Sequence, residues 1–366
     1  MKKFFFPFCL FLSMSLQGYS QSDPFSKLQK PLSLLPPASL EEVEMHVDSL
    51  NKGLGILRSS EHPDFRGLVV IKDHKLVVEE YFYTYWRATI HDIRSAGKSV
   101  TALLLGIAID QGLIEDVNQP IYSFFPSHKV HIPLTETHKS ITIAHLLQMS
   151  SGMNADADDI ETPGNGIHLI GSEDWLDLAL NLPIAFTPGE RWVYNDVCAM
   201  LTGAIVQSVS GKNLSEFAKT YLFDPLDFDE YYWYTGPQNI TGAMGNLYLT
   251  TLDFAKLGQL IVNEGKWEGK QIISPEWIEE LQVKRLEMPS DFLATHYGYF
   301  WYFGEKEING KTYKYMYASG SGGNKLYVVP DQNLVVAATS SAYGRGYGHG
   351  RAESIFTYIL KSLVQP

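Results

Sequence analysis

Hydrophobic and polar positions divide the chain into three stretches. From Arg66 to Phe82 it reads Arg-Gly-Leu-Val-Val-Ile-Lys-Asp-His-Lys-Leu-Val-Val-Glu-Glu-Tyr-Phe, two β-branched runs around a short polar turn. Stiff branched side chains suit a pleated surface, so this pattern predicts a hairpin. Just upstream, Leu40 to Leu57 has helical spacing. After Asp92 the period changes. Val100, Leu103, Leu104, Ile107 and Ala108 fall on one helical face, with Asp92 as the expected N-cap and Gly112 as the stop. To about residue 240 the chain reads mainly helical between loops rich in Asp, Gly and Pro. Its clearest helices are Ile141 to Met149 and Asp196 to Val209, the latter closed by Gly211, and Thr251 to Glu264 adds another. Strands then return at Tyr297–Phe303, Lys311–Ala318, Asn324–Val329 and Leu334–Thr339, before a last helix from Ala352 to Val364.

Strands near both ends with helices between them imply an α/β (α+β) fold. One antiparallel sheet is expected from residues 39–90 and 241–366, with a mainly helical subdomain, 91–240, inserted into it. A cleft between the two parts is the natural place for a site. Gly and Tyr repeat over Tyr343–Gly350, which reads as a flexible loop.

The first twenty residues read as a removable leader. Lys2 and Lys3 precede a largely apolar run, Phe4 to Leu16, too short for the roughly 20 residues that span a bilayer. Small residues at Gly18 and Ser20 then suit cleavage after Ser20. Residues 21–38 read as a lead-in. An exported protein, periplasmic or secreted, is therefore expected, with no membrane attachment after cleavage. The net charge of −12, without a Lys/Arg run, makes nucleic acid a poor partner. Cys9 leaves with the leader, so Cys198 has no intramolecular disulfide partner and reads as buried packing. No Cys/His cluster has zinc spacing, and neither metal nor cofactor is expected.

Ser95 and Lys98 stand three apart at a helix start, where both can face one cleft. A nearby ammonium favours a serine alkoxide, and desolvation can lower the lysine's own pKa toward that of a base. Spacing alone is weak evidence, because Ser49 and Lys52 repeat it on an ordinary amphipathic helix. Two later stretches add context. Thr187-Pro-Gly-Glu-Arg-Trp-Val-Tyr-Asn-Asp196 sets a tyrosine at another helix start. Tyr317-Ala-Ser-Gly-Ser-Gly-Gly-Asn324 is a strand edge whose glycines admit a close approach.

Five stretches together, in matching order over residues 65–360, resemble serine hydrolases of the class C β-lactamase type. They are Arg94-Ser-Ala-Gly-Lys-Ser99, Ile141-Thr-Ile-Ala-His-Leu-Leu-Gln-Met-Ser-Ser-Gly152, Pro188-Gly-Glu-Arg-Trp-Val-Tyr194, Asn246-Leu-Tyr-Leu-Thr-Thr-Leu-Asp-Phe-Ala-Lys256 and Gly322-Gly-Asn324 before Val328-Val-Pro330. That group includes D-alanyl-D-alanine carboxypeptidases, carboxylesterases and 6-aminohexanoate-dimer hydrolase. The resemblance implies a β-lactamase-like fold, Ser95 as acylated nucleophile, Lys98 as its activator and Tyr194 as general base or proton shuttle. It also implies an oxyanion hole from the backbone N–H groups of Ser95 and Ser321, and water to resolve the acyl-enzyme.

Two departures bear on substrate. Asp196 stands where the group has asparagine, and an ionised carboxylate cannot donate to a substrate's amide carbonyl. Ala318-Ser319-Gly320 stands where many members have Lys-Thr-Gly or His-x-Gly, so the cation that meets a substrate carboxylate is missing. Both favour an ester or uncharged amide over penicillins and D-Ala-D-Ala peptides. A cell-wall enzyme or a non-catalytic binding module on the same fold are the alternatives. Several lesser candidates read as structural. Asn154–Asp159 lacks the glycine and glutamate of a calcium loop, and His145, Trp192, Tyr299 and Trp301 read as packing. His349 reads as part of the flexible segment, with replacement of the missing third-motif histidine as the alternative. Oligomeric state is not legible.

Overall fold

The computed structural model describes residues 35–59, 61–289 and 293–363. The expected leader, 1–20, and most of the lead-in, 21–38, lie outside them. The described residues all belong to one compact unit, Ser33–Pro366.

The hairpin is β1 (Phe65–Lys72) and β2 (Lys75–Tyr81). Its two turn residues, Asp73 and His74, both take positive φ (51° and 61°), the twist a two-residue hairpin loop needs. Six later strands complete an eight-stranded sheet: β3 (Leu286–Glu287), β4 (His296–Gly298), β5 (Trp301–Ile308), β6 (Lys311–Gly320), β7 (Asn324–Val329) and β8 (Leu334–Ser340). The spatial order is β2-β1-β8-β7-β6-β5-β4-β3, and each neighbouring pair is antiparallel. Val70 thus lies opposite Val336, so the sheet closes only when the two distant segments meet.

Helices cover both faces. The helix α1 (Val47–Arg58) and four others, α2 (Gly97–Asp110), α3 (Asp196–Ser210), α4 (Thr251–Val262) and α5 (Tyr347–Ser362), matter here. Gly258 of α4 faces Leu326, Val328 and Val335, where a Cβ would lie 2.6 Å from a Val335 methyl. Tyr327 points the other way, as strand alternation requires, and stacks flat on Phe356 of α5 with ring centroids 4.0 Å apart. Burial on both faces is why Leu326–Val329 of β7 and Leu334–Ala338 of β8 read as apolar runs. α2 is likewise buried from Gly97 to Ala108. Gly106 leaves no room for a Cβ beside Trp277.

Several boundaries differ from the sequence reading. Asp92 does not cap α2. It ends a two-residue strand paired to Leu247–Leu249, and its carboxylate accepts from the Arg94 N–H (2.8 Å) ahead of a 3-10 turn, Arg94–Ala96. The Ile141–Met149 helix contracts to Ile143–Leu147, because Thr142 caps it and the His145 ring reaches back to the Thr142 N–H (3.1 Å). Leu40–Leu57 splits into Glu41–Val43 and α1, broken where Glu44 turns left-handed. The Tyr297–Phe303 run breaks at Tyr299 and Phe300 (φ 48° and 64°), a turn between β4 and β5 whose buried rings had disguised it as strand. α5 starts at Tyr347, five residues before the expected point, and takes in His349. The Gly/Tyr stretch is therefore half helix. Gly348 and Gly323 are what allow it, since a Cβ on Gly323 would lie 2.4 Å from the Gly348 carbonyl oxygen.

Candidate active site

Ser95 lies in the 3-10 turn that feeds α2, so its position is set by what holds that turn. Arg94 takes positive φ (54°), held from one side by Asp92 and from the other by the Ile93 N–H bonding to Leu247 (3.0 Å). Further along, the Ser99 hydroxyl donates to the Phe300 carbonyl (2.6 Å) and Thr101 to Ala243 (3.0 Å). These bonds pin α2 to both the sheet and the 243–249 segment. The end of β6 completes the cradle. A Cβ on Gly320 would sit 1.9 Å from the Ile93 carbonyl oxygen, so only glycine lets the third motif lie this close. Gly320→Ala is therefore expected to push β6 off the nucleophile turn and lower kcat by about 10²-fold, with a smaller change in Tm. Steady-state rates beside a melting curve check this.

Lys98 is 1% exposed, and its Nζ donates to Asp196 Oδ1 (2.7 Å), the Met244 carbonyl (2.7 Å) and Ser95 Oγ (3.2 Å). Nζ also lies 4.9 Å from the centre of the Tyr194 ring. Three acceptors therefore use the ammonium's three protons. Burial pushes the lysine down, but the Asp196 carboxylate and the Tyr194 side chain outweigh it, and the net shift is upward. Of the two roles open to Lys98 in the sequence, a nearby ammonium and a lysine with a lowered pKa, the upward shift favours the ammonium.

Asp196 opens α3, and Tyr194 stands two residues ahead of it. Asn195 caps that helix, its side chain accepting from the Cys198 N–H (2.8 Å), which leaves Asp196 at the first helical position, where the macrodipole favours a carboxylate. Its second oxygen lies against Gly166, where a Cβ would be 2.2 Å away. Tyr194 is held through its carbonyl, which accepts from Ala157 (2.8 Å) in the acidic loop. That loop is a built turn: Asn165 Nδ2 donates to the carbonyls of Asp156, Ala157 and Asp159. Among the described residues no cluster of three or more metal-ligating side chains occurs, Asn154–Asp159 included.

Ser321 follows β6 and is exposed, and its N–H has no acceptor among the described residues. Its carbonyl accepts from buried Asn324 (2.9 Å), whose Oδ1 takes the Ser340 N–H (3.0 Å), so the turn is anchored to β8. Gly322 and Gly323 take positive φ (88° and 92°) to make it. Ala318 is 1% exposed and lines the same small buried cavity as Ser99, Trp301 and Leu326. Tyr299, Trp301 and Cys198 are core, and Trp192 packs edge-on against Tyr297. Ser49 and Lys52, which repeat the spacing, lie on α1, with Lys52 exposed. His349 lies in the first turn of α5, half-buried and within electrostatic reach of Lys325.

Sequence reasoning missed the Met244 carbonyl, which no side-chain pattern marks. It also missed Lys325, whose Nζ donates to Ser319 Oγ (2.8 Å) from the next strand.

A family profile described as Beta-lactamase matches residues 60–357. An uncharacterized protein of Alkalihalophilus pseudofirmus is 25% identical over 333 residues, covering 81% of this chain and 90% of its own. Among solved structures, a putative 6-aminohexanoate-dimer hydrolase from Bacillus anthracis superposes with a TM-score of 0.72 at 20% identity, over 92% of this chain and 90% of that one. A family VIII carboxylesterase does so with a TM-score of 0.66 at 17% identity, over 85% and 97%.

Proposed function

The chain belongs to the beta-lactamase family, whose members are serine hydrolases, and from that premise we propose that it hydrolyses carboxylic esters through an acyl-enzyme on Ser95. The observation that carries this reading is the buried Lys98 ammonium between Ser95 Oγ and Asp196 Oδ1 beside the Tyr194 ring. Ser95 Oγ attacks the acyl carbon and gives its proton to the Tyr194 oxygen as Tyr194 releases its own phenolic proton toward the leaving oxygen. The cation beside Oγ offsets the charge that develops. The C–O bond of the ester then breaks, and the leaving alkoxide takes the proton from Tyr194. Water, giving up a proton by the same route, releases the acid and restores Ser95. The N–H groups of Ser95 and Ser321 would receive the oxyanion. An exported enzyme is part of this reading, supported by the character of residues 1–20.

Asp196 favours esters over amides with an acyl-amide side chain. Both its position and its ion pair leave it an acceptor, so such a carbonyl would meet a carboxylate oxygen. Asp196→Asn is expected to raise acylation of Ser95 by a penicillin at least about tenfold relative to ester turnover, a hydrogen-bond donor being restored. Intact mass after a timed exposure measures it. An unchanged ratio would remove Asp196 from substrate choice. The overall reading is tested by labelling Ser95 with a fluorophosphonate and turning over short p-nitrophenyl esters.

A further inference from the structure

We infer that Tyr343 is a positioning residue for the oxyanion pair, its ring holding the turn after Ser321 against the turn that carries Ser95; this rests on the ester reading of Ser95 above. The motive is a side chain that touches both halves of the proposed hole and that the mechanism does not use. The two N–H groups come from segments far apart in the chain, so tertiary contacts must set their spacing. On one side is Gly322, the residue after Ser321, where a Cβ would lie 2.7 Å from Tyr343 Cδ1 and 3.0 Å from Cε1. On the other is Arg94, the residue before Ser95. Its guanidinium lies over the same ring, 4.3 Å from the centre. The Tyr343 hydroxyl donates to the Asp92 carbonyl at 3.4 Å, which adds a third contact to the nucleophile turn.

Both ends of this contact are themselves held. Asp92 is 4% exposed; one carboxylate oxygen accepts from the Arg94 N–H (2.8 Å) and the other pairs with Arg94 Nε (3.1 Å). Arg94 therefore stays over the ring unless it gives up that ion pair, and the stacking itself is favourable. On the other side the chain leaves β8 through Ser340, whose N–H donates to Asn324 Oδ1 (3.0 Å), while Asn324 Nδ2 donates to the Ser321 carbonyl (2.9 Å). The Tyr343 N–H then closes onto the Ser341 carbonyl (2.7 Å), and the ring returns to Gly322. Gly322 and Gly323 have no side chains to restrain their backbone, and both sit at positive φ (88° and 92°). The conformation of the peptide that carries the Ser321 N–H is thus fixed from outside, by Asn324 at its carbonyl and by Tyr343 beyond it. Glycine at 322 is what admits the ring. Donors to an oxyanion act through preorganised aim, and a misplacement of about 1 Å can cost 10²-fold in rate.

The test measures p-nitrophenyl ester turnover per Ser95 titrated to completion with a fluorophosphonate, so that misfolded protein does not count. Beside it stands the Ki of phenylboronic acid, whose adduct on Ser95 puts an oxygen where the oxyanion forms. Tyr343→Ala is expected to lower kcat per site by roughly 10–10²-fold with KM within about threefold, and to raise the boronic acid Ki by a similar factor. Tyr343→Phe keeps the ring and loses only the long bond to Asp92, so it should stay within about threefold of wild type in both. A ring that merely filled space would move Tm and the titrated fraction, not the Ki. Turnover per site within about threefold of wild type in Tyr343→Ala would overturn the inference while leaving the ester reading standing. So would a fall in kcat with an unchanged boronic acid Ki. A wild-type protein that neither hydrolyses the ester nor takes the label would overturn both. Should Tyr343→Ala fail to fold, Tyr343→Leu, which keeps bulk without the flat face, is judged by the same two outcomes.

Discussion

Ser95→Ala is expected to lower p-nitrophenyl ester hydrolysis by about 10⁴-fold or more, to the level left by binding and oxyanion contacts alone. The hydroxyl accepts from the buried Lys98 ammonium, at the end of a turn held by Asp92, Leu247 and Gly320. Alanine keeps the backbone of that turn, because the residue makes its tertiary contacts through Oγ and main-chain atoms. The variant should therefore fold with an unchanged Tm and lose fluorophosphonate labelling completely. Two readouts separate the outcomes. Loss of both rate and label with an intact Tm assigns the nucleophile. Ester turnover within about tenfold of wild type would mean that another group is acylated or that water attacks directly.

Lys98→Met should cost roughly 10²–10³-fold in kcat, the usual consequence of removing one preorganised charge from a developing alkoxide or oxyanion. Methionine fills a similar volume. It leaves Asp196 with water for company, since that side chain is 24% exposed, and leaves the Met244 carbonyl without its donor. Stability should thus fall modestly, by about 1–3 kcal/mol for the unmet carbonyl. The pH dependence discriminates the role. With its folded pKa above the ordinary lysine value, Lys98 is charged across about pH 6 to 9, so the fold-loss should be constant over that range. A lysine acting as neutral base would instead show a loss that grows with pH. Removing the carboxylate tests the cause: in Asp196→Ala the neighbouring negative charge is gone, burial weighs more, and the lysine pKa should drop.

Much of the architecture was written in local pattern. The β1–β2 hairpin, β7, β8, α3 with its Gly211 stop and α4 follow from periodicity and β-branching within a few residues of their observed ends. Failures fell where tertiary contacts overrode local preference. Asp92 has cap chemistry, but pairing of His91–Asp92 with Leu247–Leu249 uses its segment as a strand. Tyr299 and Phe300 look like strand residues, yet the turn they make is stabilised by burying both rings and by the Ser99 bond to Phe300. The glycines of 344–350 read as freedom, while Gly348 is needed for close contact with the Gly322–Gly323 turn.

The active site divides in the same way. The order of motifs determined which residues would meet: Ser95, Lys98, Tyr194, Asp196 and the β6 edge are all in one place, and three-residue spacing on a turn-and-helix put Ser95 beside Lys98. Spacing carries no information about dielectric or about partners far along the chain. Only the tertiary structure decided that Lys98 is a cation, because its charge state depends on burial set against Asp196, 98 residues away. It alone decided that the third motif has a positive charge behind it, since strand register, not sequence distance, puts Lys325 opposite Ser319.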